Sequence, residues 1–340
     1  MAETPIPVVD LAATPAAVAQ GLARACRDSG FFHVAGHGVD GALVARLERL
    51  SREFFAQDLE RKLAIRMERG GRAWRGYFPV GAELTSGRPD IKEGLYFGAE
   101  LGPDHPRVAA GVPLHGPNLF PELPGFRAAV LEYTAALTEL GRRLMEGLAA
   151  SLDLAPAYFA ERCTREPLIL LRIFHYPPLA GAPQGAWSVA EHTDYGLLTI
   201  LRQDSAGGLQ VKSRARWIDV PPLPGTFVCN IGDMLERMTG GRYRSTPHRV
   251  RNPGTRSRLS FAFFFDPDFD AEVRPIDPRA EAPGDAAERW DASSVHAFEG
   301  TYGEYLMAKV GKVFPALFRE QLTRHPHGER PTGDSGARET

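Results

Sequence analysis

Apolar residues recur along this chain with two different periods, and the change of period divides it. Ile6-Pro7-Val8-Val9-Asp10 is a short apolar run. Thr14-Pro15 then supplies a capping hydroxyl and a proline at the first helical position, which marks a helix start. Val18, Leu22 and Cys26 follow at helical spacing, and Gly30 closes the helix. Phe31-Phe32-His33-Val34 reads as a strand. Asp40 caps a second helix, with Leu43, Leu47, Leu50 and Phe54 on one face. From about Arg69 to Pro124 the pattern lapses into Gly- and Pro-rich sequence. This stretch is expected to run over the surface as loops and short strands, a type of segment often used as a lid. Phe126 to Leu152 has the Ala-, Leu-, Glu- and Arg-rich composition of a long helix that braces a sheet from outside.

From Leu168 to Phe265 the period shortens. Leu168–Tyr176, Leu197–Leu201, Leu209–Lys212, Trp217–Val220, Thr226–Ile231, His248–Arg251 and Leu259–Phe265 are β-rich runs separated by turn signals. Short strands in regular succession without helices between them specify a sandwich or barrel, here a jelly roll of the cupin type. The expected fold class is therefore mainly β with flanking helices, around a double-stranded β-helix core. Phe298–Phe314 returns to helical spacing, and the polar tail from His325 onward is expected to be disordered. The expected organisation is one structural unit. An N-terminal α/β region over residues 1–120 packs on a jelly-roll core with bracing helices over 121–320, and a tail over 321–340 follows.

Composition narrows the function classes. The chain has 340 residues, 43% of them hydrophobic, enough for a sizeable core. A net charge of -2 gives no reason to expect nucleic acid or an anionic membrane as partner. Arg supplies most of the positive charge; the lysines are Lys62, Lys92, Lys212, Lys309 and Lys312. Cys26, Cys163 and Cys229 are widely spaced and odd in number, which argues against a disulfide framework or a thiolate zinc site. They read as inert structural thiols. The N-terminus has neither the basic nor the apolar segment of a signal peptide, and no apolar run nears the roughly 20 residues of a membrane span. A cytoplasmic protein acting on a small molecule is expected. Its oligomeric state is open between monomer and weak dimer.

The candidate chemistry sits in the β-rich half. His192-Thr193-Asp194 places an imidazole and a carboxylate at i and i+2, on one face of an extended chain. His248 lies on a later candidate strand. Two imidazoles and a carboxylate hold non-haem Fe(II) on one face and leave the other open. H-x-D alone is a weak signal, and a single strand histidine is more often a hydrogen-bonded core residue. An intact Asp194 argues against a halogenating site, where a small residue would make room for chloride. His33, His37, His105, His115, His175 and His296 have no second ligand type on a shared face and read as structural.

Arg258 and Ser260 again stand at i and i+2, with Ala262 and Phe264 continuing their face. A buried guanidinium needs an anionic partner, and a bound dicarboxylate would supply one. Phe264 would then wall the same pocket. Leu259, Phe261, Phe263 and Phe265 face the outer helices. The bland alternative for Arg258 is a solvated edge arginine like Arg249, Arg251 and Arg256.

The ordered set His192-Thr193-Asp194, Ser245-Thr246-Pro247-His248-Arg249-Val250 and Arg258-Leu259-Ser260 resembles the Fe(II)/2-oxoglutarate-dependent dioxygenases, in the branch that includes isopenicillin N synthase. Asp194-Tyr195-Gly196-Leu197-Leu198-Thr199, Gly207-Gly208-Leu209-Gln210-Val211 and Asn230-Ile231-Gly232-Asp233 extend the likeness. So do Ile6–Asp10, Gly30–Val34, His37-Gly38-Val39 and Arg172–Pro178, so that it spans nearly the whole chain apart from the tail. The resemblance implies Fe(II) on His192, Asp194 and His248, with 2-oxoglutarate and O2 as co-substrates. It implies that Arg258 and Ser260 bind the distal carboxylate of 2-oxoglutarate, with Tyr176 adding a hydrogen bond. It implies oxidation, foremost hydroxylation, of an unactivated C–H bond, with release of succinate and CO2. The alternative within the fold is an iron oxidase or cyclase independent of 2-oxoglutarate.

One departure stands out. Many plant members carry Asn two residues before the tyrosine, near the proximal carboxylate; here that residue is Phe174. Arg172 shares a face with Phe174 and Tyr176 and is a candidate for an acidic group of the substrate, against the alternative of an ion pair with a nearby carboxylate. Phe174, Phe264 and Trp187 are further candidates for the substrate pocket. The aromatic loop Trp74-Arg75-Gly76-Tyr77-Phe78 is a candidate lid, against the alternative of packing on the sheet.

Overall fold

The computed structural model describes residues 6–85, 87–179, 187–213, 216–252, 254–279, 289 and 293–322. β1 (Val8–Asp10), α1 (Pro15–Asp28), β2 (Phe31–Ala35) and α2 (Gly41–Phe55) open the chain. Thr14 accepts a hydrogen bond from the Ala17 amide at 3.3 Å, and Asp40 one from the Ala42 amide at 2.8 Å. Both helices thus start at the caps read from the sequence. α3 (Leu59–Leu63) and a 3-10 segment over Met67–Ala73 lead into β3 (Gly76–Phe78), β4 (Leu84–Thr85), β5 (Arg88–Pro89) and β6 (Glu93–Gly98). Three helices follow: α4 (Pro106–Ala109), α5 (Phe126–Ser151) and α6 (Tyr158–Arg162). The β-rich half holds β7 (Leu168–Tyr176), β8 (Val189–His192), β9 (Leu198–Gln203), β10 (Leu209–Ser213), β11 (Arg216–Asp219), β12 (Phe227–Ile231), β13 (His248–Val250) and β14 (Arg258–Asp266). α7 (Asp233–Met238) separates β12 from β13, and α8 (Tyr302–Val313) and α9 (Pro315–Gln321) follow β14.

Two sheets form the core. The larger runs β1-β2-β12-β9-β14-β7-β6-β3, and the smaller runs β11-β10-β13-β8. One cavity is lined from both, by Arg172, Tyr176, Arg258 and Ser260 of the larger sheet and by His192, Leu209, His248 and Val250 of the smaller. Alternation on β14 explains the division of labour. Arg258, Ser260, Ala262 and Phe264 line the cavity, whereas Leu259, Phe261, Phe263 and Phe265 are buried away from it. α5 packs on that outer face of β14 and on β9, so the long helix braces the sheet as its composition predicts.

The surface placement expected for residues 69–124 holds for β5, which is exposed, but fails for β3 and β6. β3 and β6 are buried along their whole length and extend the larger sheet beyond β7. A strand covered on both faces has no polar alternation, so Glu93-Gly94-Leu95-Tyr96-Phe97-Gly98 gives no periodic signal. All three cysteines are buried and free. Burial pushes the Cys163 thiol up to about 12 and raises Cys26 and Cys229 as well, in keeping with inert packing. Among the described residues no helix is long and apolar enough to cross a membrane. The tail from residue 323 onward lies outside the described residues, and Gln321 still belongs to α9.

Candidate active site

His192 ends β8 and His248 begins β13, directly opposite in register. Their ring centroids are 4.2 Å apart. His192 Nδ1 donates to the Ala190 carbonyl at 2.8 Å, and His248 Nδ1 to the Thr246 carbonyl at 3.2 Å. With Nδ1 committed to a carbonyl, each ring keeps its Nε2 lone pair free for a ligand. Asp194 Oδ1 lies 3.6 Å from His248 Nε2 and 3.9 Å from His192 Nε2. The donor atoms of the three residues fall within 4.8 Å of one another, and among the described residues no other group of His, Cys, Asp or Glu is placed to share a metal ion. The six histidines read as structural lie outside this group. His33 meets the Thr226 hydroxyl, for instance, and His175 meets Glu93 at 2.8 Å.

The electrostatics favour the metal-binding protonation states. Burial, reinforced by neighbouring His248, pulls His192 down to about 3, so its imidazole is neutral at pH 7. Burial alone would push the Asp194 carboxyl up. His248, His192, Asn230 and Thr199 outweigh it and hold the group below its usual range. The carboxylate is also oriented. Thr199 Oγ1 donates to Oδ2 at 2.5 Å and Asn230 Nδ2 donates to the same oxygen at 2.7 Å, which turns Oδ1 toward the histidines.

Asp233 ties the two histidine-bearing segments together. Its amide donates to the Asp194 carbonyl at 2.8 Å, and its carboxylate accepts from Thr193 at 3.3 Å. The same carboxylate accepts from Ser245 at 2.7 Å, from Tyr305 of α8 at 2.8 Å, and from Arg289. The turn after Asp194 is equally constrained. A Cβ on Gly196 would lie 1.5 Å from Asp266 Oδ1, while Asp266 Oδ2 accepts from Tyr302 at 2.5 Å. Burial pushes the Asp266 carboxyl up to about 7. Gly196→Ala must displace that carboxyl. It is expected to lower stability by about 1–3 kcal/mol, the usual cost of overpacking, and to weaken metal binding two residues upstream. Thermal melts paired with metal titration check this; a melting temperature equal to wild type would show that the turn can open.

Across the cavity, β7 and β14 pair Tyr176 with Arg258 and Phe174 with Ser260. The Tyr176 and Ser260 hydroxyls are 3.0 Å apart. Arg258 is 1% exposed, and its guanidinium carbon lies 4.6 Å from the Tyr176 ring centre. Nε donates to the Gly207 carbonyl at 2.6 Å and Nη2 reaches Gln203 at 3.4 Å, but Nη1 is buried with no protein partner among the described residues. A buried, unpaired donor on a cation is costly.

Arg172, Phe174 and Phe264 line the same cavity. The Arg172 guanidinium lies 4.2 Å from the Tyr96 ring centre and 5.1 Å from that of Phe264. Its Nη1 is 3.9 Å from Glu83, too far for a hydrogen bond. The nearby carboxylate of the second reading is thus Glu83, and Arg172 also lines the cavity. Trp187 does not line it. β13 turns His248 and Val250 inward and Arg249 outward, and the Trp187 ring stacks on Arg249 at 4.1 Å. The candidate lid is packed instead of hinged. Tyr77 bonds Glu93 at 2.5 Å and Phe78 sits against Tyr96 and Phe314, leaving Trp74 alone of that loop on the cavity wall. Leu306, Val310 and Val313 of α8 and the adjoining Phe314 add apolar wall that no sequence signal assigns to the site.

Comparisons with known proteins agree with this geometry. Residues 168–267 match the family described as the 2OG-Fe(II) oxygenase superfamily, and residues 6–123 match the one described as non-haem dioxygenase in morphine synthesis N-terminal. A probable iron/ascorbate oxidoreductase of Dictyostelium discoideum is 51% identical over 326 residues, covering 88% of this chain and 90% of the relative. The chain is a 2OG-Fe(II) oxygenase. A homoarginine-6-hydroxylase of Arabidopsis thaliana is 37% identical, covering 87% of this oxygenase and 89% of the relative. Among solved structures, a full-length Neurospora crassa protein in complex with alpha-KG superposes with a TM-score of 0.74 at 27% identity, covering 90% of this chain and 96% of that one.

Fe(II), 2-oxoglutarate and O2 are therefore the cofactor and co-substrates of this oxygenase. The residues present fit them. Two imidazoles that keep Nε2 free and a carboxylate held below its usual range suit Fe(II), and the orphaned Nη1 of Arg258 calls for an anionic acceptor of the kind a dicarboxylate provides. Sequence reasoning gives no role to Thr199, Asn230 and Asp233. Each lies in a motif that carries the family resemblance, which is the available signal. It misses Glu83 and Lys92 altogether. Lys92 directly precedes the buried run of β6, where the lapse in periodicity conceals it.

Proposed function

We propose that this oxygenase hydroxylates an unactivated C–H bond of a small molecule that carries an acidic group. His192, Asp194 and His248 hold Fe(II), and Arg258, Ser260 and Tyr176 hold the distal carboxylate of 2-oxoglutarate. The observation that carries this reading is the buried Nη1 of Arg258, unpaired among the described residues, which shares one cavity with the three convergent metal donors. The overall reaction consumes 2-oxoglutarate, O2 and R–H, and yields succinate, CO2 and R–OH. Bound Fe(II) supplies the oxygen activation. The protein's part is positional: Arg258 fixes one end of the co-substrate, the Thr199–Asn230 pair fixes the Asp194 carboxylate, and apolar walls from α8 limit water.

Arg172 binds the acidic group of the substrate. Two aromatic rings hold its guanidinium, and among the described residues it donates no hydrogen bond. The homoarginine hydroxylase among the relatives, whose name denotes an amino acid substrate, supports a carboxylate-bearing target. Arg172→Met should raise the substrate KM about 10- to 100-fold, the worth of one charge-assisted hydrogen bond, while uncoupled 2-oxoglutarate turnover survives. Unchanged substrate kinetics would remove Arg172 from this role.

The test is a screen of amino acids and related carboxylates with Fe(II), ascorbate and 2-oxoglutarate, read by succinate release and product mass. A gain of one oxygen supports hydroxylation. Loss of two hydrogens would replace it with desaturation or ring closure. Substrate consumption without 2-oxoglutarate would establish the co-substrate-independent oxidase instead.

A further inference from the structure

Phe174 stands where the resemblance places an Asn in many plant members, so the proximal end of 2-oxoglutarate lacks that amide here. We propose that Lys92 supplies the replacement contact, binding the carboxylate next to the keto group. This rests on the 2-oxoglutarate reading above and extends it to a residue that neither periodicity nor motif indicates.

The strand register places Lys92. β6 pairs with β7 through Glu93 opposite His175 and Gly94 opposite Phe174, and β7 pairs with β14 through Phe174 opposite Ser260 and Tyr176 opposite Arg258. Lys92, one residue before β6, thus falls beside Tyr176 and on the cavity face shared by Gly94 and Tyr96. It lines the cavity and is 2% exposed. Gly94 makes room for the arrangement: a Cβ there would lie 2.8 Å from the Phe174 ring and 2.7 Å from that of Phe78. The Phe174 ring lies across that glycine, and the Lys92 ammonium sits 4.8 Å from its centre. The cation therefore stands over the position that carries Asn in many plant members, held partly by the ring face.

The ammonium has capacity to spare. It meets Asp90 at 2.5 Å and Glu83 at 3.0 Å, two carboxylates for three N–H donors. Burial opposes its charge, but Asp90 and Glu83 more than compensate and keep it protonated. A compact, charged donor facing a cavity suits a carboxylate oxygen. Arg172 is the rival cation. It lies two residues before Phe174 on β7, opposite Ala262 and stacked between Tyr96 and Phe264, off the Phe174–Ser260 row.

The experiment compares two ligands that differ only at the proximal end. 2-Oxoglutarate and 4-oxopentanoate share the distal carboxylate and the ketone, but the second has a methyl group where the first has its proximal carboxylate. Binding of each to the Mn(II)-loaded protein is measured by calorimetry for wild type, Lys92→Met, Lys92→Arg and Arg172→Met. Lys92→Met should weaken 2-oxoglutarate at least tenfold and leave 4-oxopentanoate within about twofold. Lys92→Arg should retain most of the affinity, and Arg172→Met should leave both ligands near wild type. If Lys92→Met melts below the assay temperature, Lys92→Gln, which keeps a donor for Asp90, should show the same pattern. Equal weakening of both ligands would reduce Lys92 to wall packing. An unchanged 2-oxoglutarate affinity, or a selective loss in Arg172→Met, would also overturn the assignment. Failure of the wild type to bind 2-oxoglutarate would overturn the underlying co-substrate reading as well.

Discussion

Asp194→Ala should abolish metal-dependent turnover while leaving a folded protein. Oδ1 faces both histidine Nε2 atoms, at 3.6 and 3.9 Å, and is the anionic corner of the donor set. Without it, two imidazoles remain with no anionic ligand, a poor site for a hard divalent ion. Outer-shell partners of metal ligands typically contribute 10- to 100-fold in affinity. Asn230→Ala, which removes one donor to Oδ2, should fall in that range, and Asp194→Ala should exceed it. Stability responds differently. The carboxylate is desolvated, so its loss removes a burial cost, but it strands the Thr199 hydroxyl and the Asn230 amide. The two effects oppose, and the melting temperature of the metal-free protein should move far less than the metal affinity does. Mn(II) titration beside circular dichroism separates them. Wild-type metal affinity in Asp194→Ala would show that this carboxylate is not a ligand.

The site is legible in the sequence where its chemistry coincides with strand alternation. Arg258 and Ser260 stand at i and i+2 on β14, His192 ends β8 with Asp194 two residues beyond it, and all four line the cavity. The strand Leu168–Tyr176 reads with its observed limits, because its flanking turns and apolar content are unambiguous. Legibility fails where burial on both faces erases the pattern. β6 is buried throughout, and the charges of Glu83 and Lys92 look like solvated ones until the sheet is assembled around them. Aromatic identity also carries no direction. Trp187 and Trp74 give the same signal from sequence, yet Trp187 stacks on the outward Arg249 while Trp74 walls the cavity. Pairing partners decide such cases, and they are separated by tens of residues. β14, for example, lies between β7 and β9.

Replacing Arg258 by Met should weaken 2-oxoglutarate binding by about 2–4 kcal/mol, roughly 30- to 1,000-fold. The range follows from losing a buried charge-assisted contact and leaving the ligand carboxylate without its counter-ion. Ser260 and Tyr176, whose hydroxyls are 3.0 Å apart, can still donate, so binding should weaken without vanishing. Stability gives the sharper signature. In the free protein Nη1 of Arg258 is buried without a partner among the described residues, so the cation is a cost until an anion arrives. A methionine of similar volume removes that cost, although it leaves the Gly207 carbonyl without the Nε donor. The melting temperature of the free variant should therefore stay near that of wild type. Saturating 2-oxoglutarate should raise the wild-type melting temperature by mass action, and the same concentration should raise that of Arg258→Met much less. If 2-oxoglutarate stabilises both proteins equally, Arg258 is a structural arginine and the co-substrate is anchored elsewhere.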